Sequence, residues 1–100
     1  MLRAAIILSA LFLLSSCVEP NGAYLFLHVG CTKCHVLNGV GIGRVDLSDV
    51  RNERSRGWVR DQITFPRSHR PDTGMPSFAF LSRSQINALA DYVMGGQRPR

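Results

Sequence analysis

With 100 residues, 45% of them hydrophobic, the chain can build one small domain and no more. Three cysteines, an odd count, make no disulfide framework, so a core this small needs another staple such as a metal or a cofactor. Twelve basic against seven acidic side chains give a formal charge of +5, which suits acidic protein surfaces or anionic lipid. Nucleic acid is excluded as a partner by the export signal that opens the chain.

Met1-Leu2-Arg3 is a short positive start, and Ala4 to Leu14 is an apolar run broken only by Ser9. That run is too short for an ordinary membrane-spanning helix and reads as a secretory signal. Leu14-Ser15-Ser16-Cys17 resembles the lipobox of bacterial lipoproteins: an aliphatic residue, two small residues, then a cysteine. The resemblance implies cleavage before Cys17 and lipidation of Cys17 itself, with several acyl chains giving stable anchoring. Residues 1–16 are thus a removed signal peptide, 17–21 a lipidated cysteine and tether, and 22–100 the domain. The mature chain keeps eleven basic and seven acidic side chains. Only Val18 to Asn21 lie between the lipid and the first helix, a short reach at about 3.5 Å per extended residue.

Asn21 is placed to cap a helix through Tyr24, Leu25, Phe26 and His28 that stops near Gly30. Asn38 to Gly43 holds three glycines and reads as a loop. Ser55 caps a second helix carrying Trp58, Val59, Gln62 and Ile63, and Pro66 ends it by pushing the preceding residue out of helical geometry. Pro66, Pro71, Gly74 and Pro76 make residues 66–80 irregular. Ser82 and Gln85 form a capping box, with Leu81 and Ile86 as its hydrophobic staple. Ile86, Leu89, Ala90 and Val93 then recur at helical spacing, and Gly95-Gly96 closes the helix. No segment reads as a paired strand, so the fold class is all-α.

Cys31-Thr32-Lys33-Cys34-His35 is the C-x-x-C-H run of c-type haem attachment. Cysteines three apart lie on one side of a helical turn, so each can add across one haem vinyl group. The following His35 is then held under the iron as the proximal ligand, its second N–H needing an acceptor. A thioredoxin-type disulfide is the weaker reading, because no βαβ pattern surrounds the pair. A zinc site would need two more ligands, for which His28 and His69 are the histidines at hand.

The chain beyond the leader resembles the class I monohaem cytochromes c. Gly22, Phe26, Gly30, Cys31, Cys34 and His35 fit the family's opening helix and haem run. Gly43-Arg44-Val45-Asp46-Leu47 fits its glycine-rich approach to Asp-Leu. Trp58 before Pro66, Gly74-Met75-Pro76-Ser77-Phe78, and Leu89 with Tyr92 in a closing helix complete the likeness over about residues 22–95. The resemblance implies three to four helices wrapped around one covalent haem c. It implies Met75 as the distal axial ligand, 40 residues after His35. A soft thioether suits low-spin haem iron and raises its potential. His69 is the alternative distal ligand, expected to be exposed between Ser68 and Arg70, and Met94 is a packing residue. Trp58, Val45, Leu47, Pro76 and Phe78 support the haem pocket. Val45 replaces the family's usual proline, whose carbonyl accepts from the proximal imidazole; any residue's carbonyl can do so. Gly22 and Phe26 are expected to meet Leu89 and Tyr92 where the end helices cross.

The implied function is electron transfer, with no catalytic constellation and no open iron position. One form of it is a carrier between redox proteins with acidic docking surfaces. The other is a fixed haem subunit of a larger membrane oxidoreductase complex, which the short tether and the arginines at 51, 54, 56, 60, 67 and 70 favour. One or two of those arginines would pair with haem propionates. The implied location is the bacterial cell envelope, lipid-anchored and facing the periplasm or the exterior.

Overall fold

Capping chemistry opens the first helix where the sequence places it. The computed structural model describes residues 19–95, so the signal peptide, Cys17 and the glycine at 96 lie outside the described residues. Helix α1 spans Gly22–His28, and Asn21 Oδ1 accepts from the Tyr24 N–H at 3.0 Å. A 3-10 turn at Cys31–Lys33 follows, then strand β1, His35–Val36. Strand β2 is Val45–Asp46, α2 is Val50–Glu53 and α3 is Arg56–Thr64. A second 3-10 turn, Pro66–Ser68, precedes the long irregular segment, and α4 spans Arg83–Val93.

The caps of α3 and α4 also match their sequence signals. Ser55 Oγ accepts from the Trp58 N–H at 3.0 Å. Ser82 Oγ accepts from the Gln85 N–H at 3.1 Å, and Gln85 Oε1 accepts from the Ser82 N–H at 2.9 Å, which closes the capping box. Helix α3 stops at Thr64 because Phe65, preceding buried Pro66, sits at φ −135° and ψ 69°, outside helical geometry. At the far end of α4, Gly95 adopts φ +81° and its N–H reaches the Tyr92 carbonyl at 3.1 Å.

The apolar faces of α1 and α3 both pack on α4. Phe26 and Ala90 are fully buried, Leu89 nearly so, and Val59, Ile63, Ile86 and Val93 complete the centre. Burying a side chain such as Phe26 is worth about 1.5–3 kcal/mol, so this seam dominates the stability of the fold. The crossing itself depends on Gly22. A Cβ there would fall on the Ala88 carbonyl oxygen and lie 2.7 Å from Tyr92 Cβ. Phe26 and Tyr92 rings meet at 5.5 Å in a tilted pair. The expected meeting of Gly22 and Phe26 with Leu89 and Tyr92 is present.

Two features correct the sequence reading. There is a paired strand: β1 and β2 run parallel, with His35 opposite Val45 and Val36 opposite Asp46. Two-residue strands have no periodicity to read, and this pair forms only because the loop returns against the cysteine segment. The class remains all-α. Second, the Gly-rich loop is partly regular. Leu37 and Val40 exchange two backbone bonds at 2.9 Å around Asn38-Gly39, whose φ values are 49° and 85°. Both central residues left-handed is the tight hairpin that Asn-Gly favours. Helix α2 is a further addition, a single turn with no apolar period.

Candidate functional site

The Cys31–His35 run is held from two sides. Val29 N–H closes α1 on the Leu25 carbonyl, and Gly30 turns the chain at φ +100° into the 3-10 turn that carries Cys31. From the other side the loop docks backbone to backbone. Ile42 N–H donates to the Thr32 carbonyl at 3.0 Å, Val45 N–H to Cys34 at 3.1 Å, and Leu47 N–H to Val36 at 2.7 Å. Gly43 is required at the closest point, because a Cβ there would overlap the carbonyl of Cys34. Asp46, Ser48 and Asn38 lock the return. Asp46 Oδ1 accepts from the Ser48 N–H at 2.9 Å and its hydroxyl at 2.6 Å, while Ser48 Oγ accepts from the Asn38 N–H at 2.9 Å. These bonds hold the Asp46 carboxyl below the usual carboxylate range.

Cys31 is half-buried and Cys34 exposed, and no disulfide joins them. Burial pushes the Cys31 thiol up, with Cys34 adding a smaller push in the same direction against its own backbone hydrogen bond. His35 is half-buried, and burial lowers its pKa, which favours the neutral ring that binds metals. The Val45 backbone opposes that shift, as an acceptor facing the ring does. Yet no hydrogen bond of standard geometry forms, and His35 Nδ1 is a buried nitrogen without a partner. A ring nitrogen sealed beside an acceptor is an N–H waiting to be aligned. Nδ1 in that role leaves Nε2 for a metal. The paired cysteines, the orphaned Nδ1 and the apolar side chains of Ile42 and Val45, exposed beside the cysteines, fit a covalently attached haem.

Met75 sits on the irregular segment, which is strapped to the end of α3. Phe78 N–H donates to the Ile63 carbonyl at 3.0 Å, and Ser77 Oγ to the Thr64 carbonyl at 2.6 Å. These are carbonyls that a helix end leaves open, so the strap is satisfied at no cost to α3. The Met75 N–H donates to Thr73 Oγ1 at 3.2 Å, and the half-buried side chain packs on the core. Phe78 is buried and Leu47 half-buried against the core, but Pro76 is exposed and Val45 is 52% exposed, so Val45 acts here through its backbone.

His69 departs from expectation. It is half-buried, not a free loop residue: its ring lies parallel to Trp58 with centroids 4.2 Å apart, and Nδ1 bonds Gln62 Oε1 at 2.8 Å. Arg54 lies over the Trp58 ring at 4.4 Å. Arg56 pairs with Asp91, Arg60 donates to Asn87 Oδ1 at 3.2 Å, and Arg70 faces Asp72 at 3.9 Å, so much of the basic segment has partners within the fold. Gln62 escaped the sequence reading as more than a helix-face residue. Its Nε2 lies 3.3 Å from Met75 Sδ, and no local signal marks a contact across thirteen residues. Among the described residues, no group of three or more His, Cys, Asp or Glu side chains could hold a metal ion, and no helix is long and apolar enough to cross a membrane.

Paired thiols followed at once by an imidazole, closed by a backbone ladder, define a site for a covalently attached redox cofactor. A family model described as Cytochrome c matches residues 20–97, and the chain belongs to the cytochrome c family. Its members bind haem c covalently and transfer electrons, so the chain binds haem c and serves electron transfer. The searches of curated proteins and of solved structures each found no match.

Proposed function

We propose that the protein is a lipid-anchored monohaem cytochrome c with His35 and Met75 as axial ligands, passing single electrons between redox proteins in the bacterial cell envelope. The observation that carries this reading is the buried, unpartnered Nδ1 of His35 opposite Val45. When bound, haem supplies a one-electron ferrous–ferric couple. Cys31 and Cys34 would hold it through two thioether bonds. The Val45 carbonyl would accept a hydrogen bond from the His35 Nδ1–H, favouring the tautomer whose Nε2 is free to hold the iron. Met75 would bring a soft sulfur on a strap tied to the end of α3. Trp58 and Phe78 wall the site. With His35 and Met75 both holding the iron, no position would be open to substrate, which suits electron passage.

The ligation is tested by near-infrared spectroscopy of the oxidised holoprotein. The weak sulfur-to-iron band is expected in the wild type and lost in Met75→His. A bis-histidine spectrum in the wild type would point to His69 instead. The anchor is tested by fractionation: Cys17→Ser is expected to leave the membrane fraction, and its retention there would sink the lipid anchor. The four-residue tether, 18–21, favours a second arrangement, a fixed haem subunit of a membrane oxidoreductase complex. Gentle solubilisation with native sizing distinguishes them, since a free carrier migrates alone.

A further inference from the structure

We propose that Gln62 is the positioning residue for the Met75 thioether and that His69, stacked on Trp58, holds Gln62 in the orientation this requires. The inference rests on Met75 as the distal ligand and goes beyond it by naming what sets the sulfur's orientation.

Chemistry fixes the direction of each bond. A thioether sulfur accepts hydrogen bonds but has no hydrogen to donate. The group of Gln62 that lies 3.3 Å from Met75 Sδ must therefore be its NH2. The amide oxygen then faces His69 Nδ1 at 2.8 Å, so that nitrogen carries a hydrogen and donates. The His69 ring is held in turn by Trp58, parallel at 4.2 Å. Trp58 and Gln62 are four residues apart on α3 and so share a face. One rigid helix thus supplies both residues that hold His69, Trp58 and Gln62, in a chain running Trp58, His69, Gln62, Met75.

The consequence falls on the sulfur. It has two lone pairs, and one is engaged by Gln62. Only the other is free for iron, so the hydrogen bond selects which lone pair binds and on which side the terminal methyl lies. Methionine otherwise has three freely rotating bonds and no preferred choice. The strap from Thr73 to Phe78 places the residue; Gln62 orients its sulfur.

The test uses the full-length, haem-loaded protein with Gln62→Leu, Gln62→Glu and His69→Phe. Glutamate is the discriminating variant: its carboxylate can still accept from His69 but cannot donate to sulfur. Both Gln62 variants are expected to weaken or shift the near-infrared band of the ferric protein. Imidazole, competing for the iron, should bind about three- to tenfold tighter, the range for losing one neutral hydrogen bond. His69→Phe keeps a ring on Trp58 and removes only the donor, so it should shift imidazole affinity in the same direction by less. An unchanged band and unchanged imidazole affinity in both Gln62 variants, with only thermal stability reduced, would overturn the inference. Wild-type affinity in His69→Phe would overturn the part given to His69. A wild type lacking the band would overturn the Met75 assignment and the inference together, whereas a wild-type band indifferent to Gln62 overturns the inference alone.

Discussion

Gly22 meets Ala88 backbone to backbone where α1 crosses α4, leaving no room for a Cβ beside the Ala88 carbonyl. Gly22→Ala therefore forces the two helices apart over Phe26 and Leu89, the largest buried side chains of the seam. Over-packing of this kind costs about 1–3 kcal/mol. In a domain of this size the melting temperature falls by about 4–8 °C per kcal/mol. Thermal unfolding of the holoprotein followed by circular dichroism checks it. An unshifted melting curve would mean that the crossing has slack.

Gly43 stands in the same relation to Cys34, but in the haem run itself. Gly43→Ala pushes β2 off β1 and moves the Val45 carbonyl away from His35. The expected loss is at the upper end of about 1–3 kcal/mol, because the neighbour is backbone and cannot rotate away. Haem attachment should also suffer, read as a lower haem-to-protein ratio in purified material. A full ratio with normal stability would refute the tight docking of the loop.

Asp46 gives a pH dependence with a definite sign. Its hydrogen bonds from Ser48 lower its pKa in the folded chain relative to the ordinary value of 3.8. Stabilisation from the carboxylate is therefore complete above that value and is lost as pH falls through the lowered one. The Ser48 and Asn38 amide resonances should move together in an acid titration of the wild type. In Asp46→Asn that transition should be missing. Its persistence would assign it to another carboxylate.

Arg56 and Asp91 tie α3 to α4 through a pair with both side chains over 40% exposed. Solvent screening limits such pairs to about 0–1 kcal/mol. Asp91→Asn should lower stability by no more than that in denaturant melts, and raised salt should narrow the gap to wild type. A larger, salt-independent loss would show that Asp91 does something besides pairing.

What the sequence determined by itself was everything carried by neighbours along the chain. Asn21, Ser55 and the Ser82–Gln85 box satisfy N–H groups three residues away, so their helices were legible before any packing was known. The Cys31–Cys34–His35 run was equally legible, because haem attachment demands those residue types at that spacing. The Asn38-Gly39 hairpin had a local signal too, hidden within a stretch read only as glycine-rich loop. Tertiary structure alone decided the rest. It set Val45 opposite His35, pressed Gly43 onto Cys34, drew His69 out of solvent onto Trp58, and brought Gln62 to the sulfur of Met75. Each of these joins residues nine to thirteen positions apart across a turn of the fold. Such contacts arise from how the helices pack and where the loops must return, which no local spacing encodes.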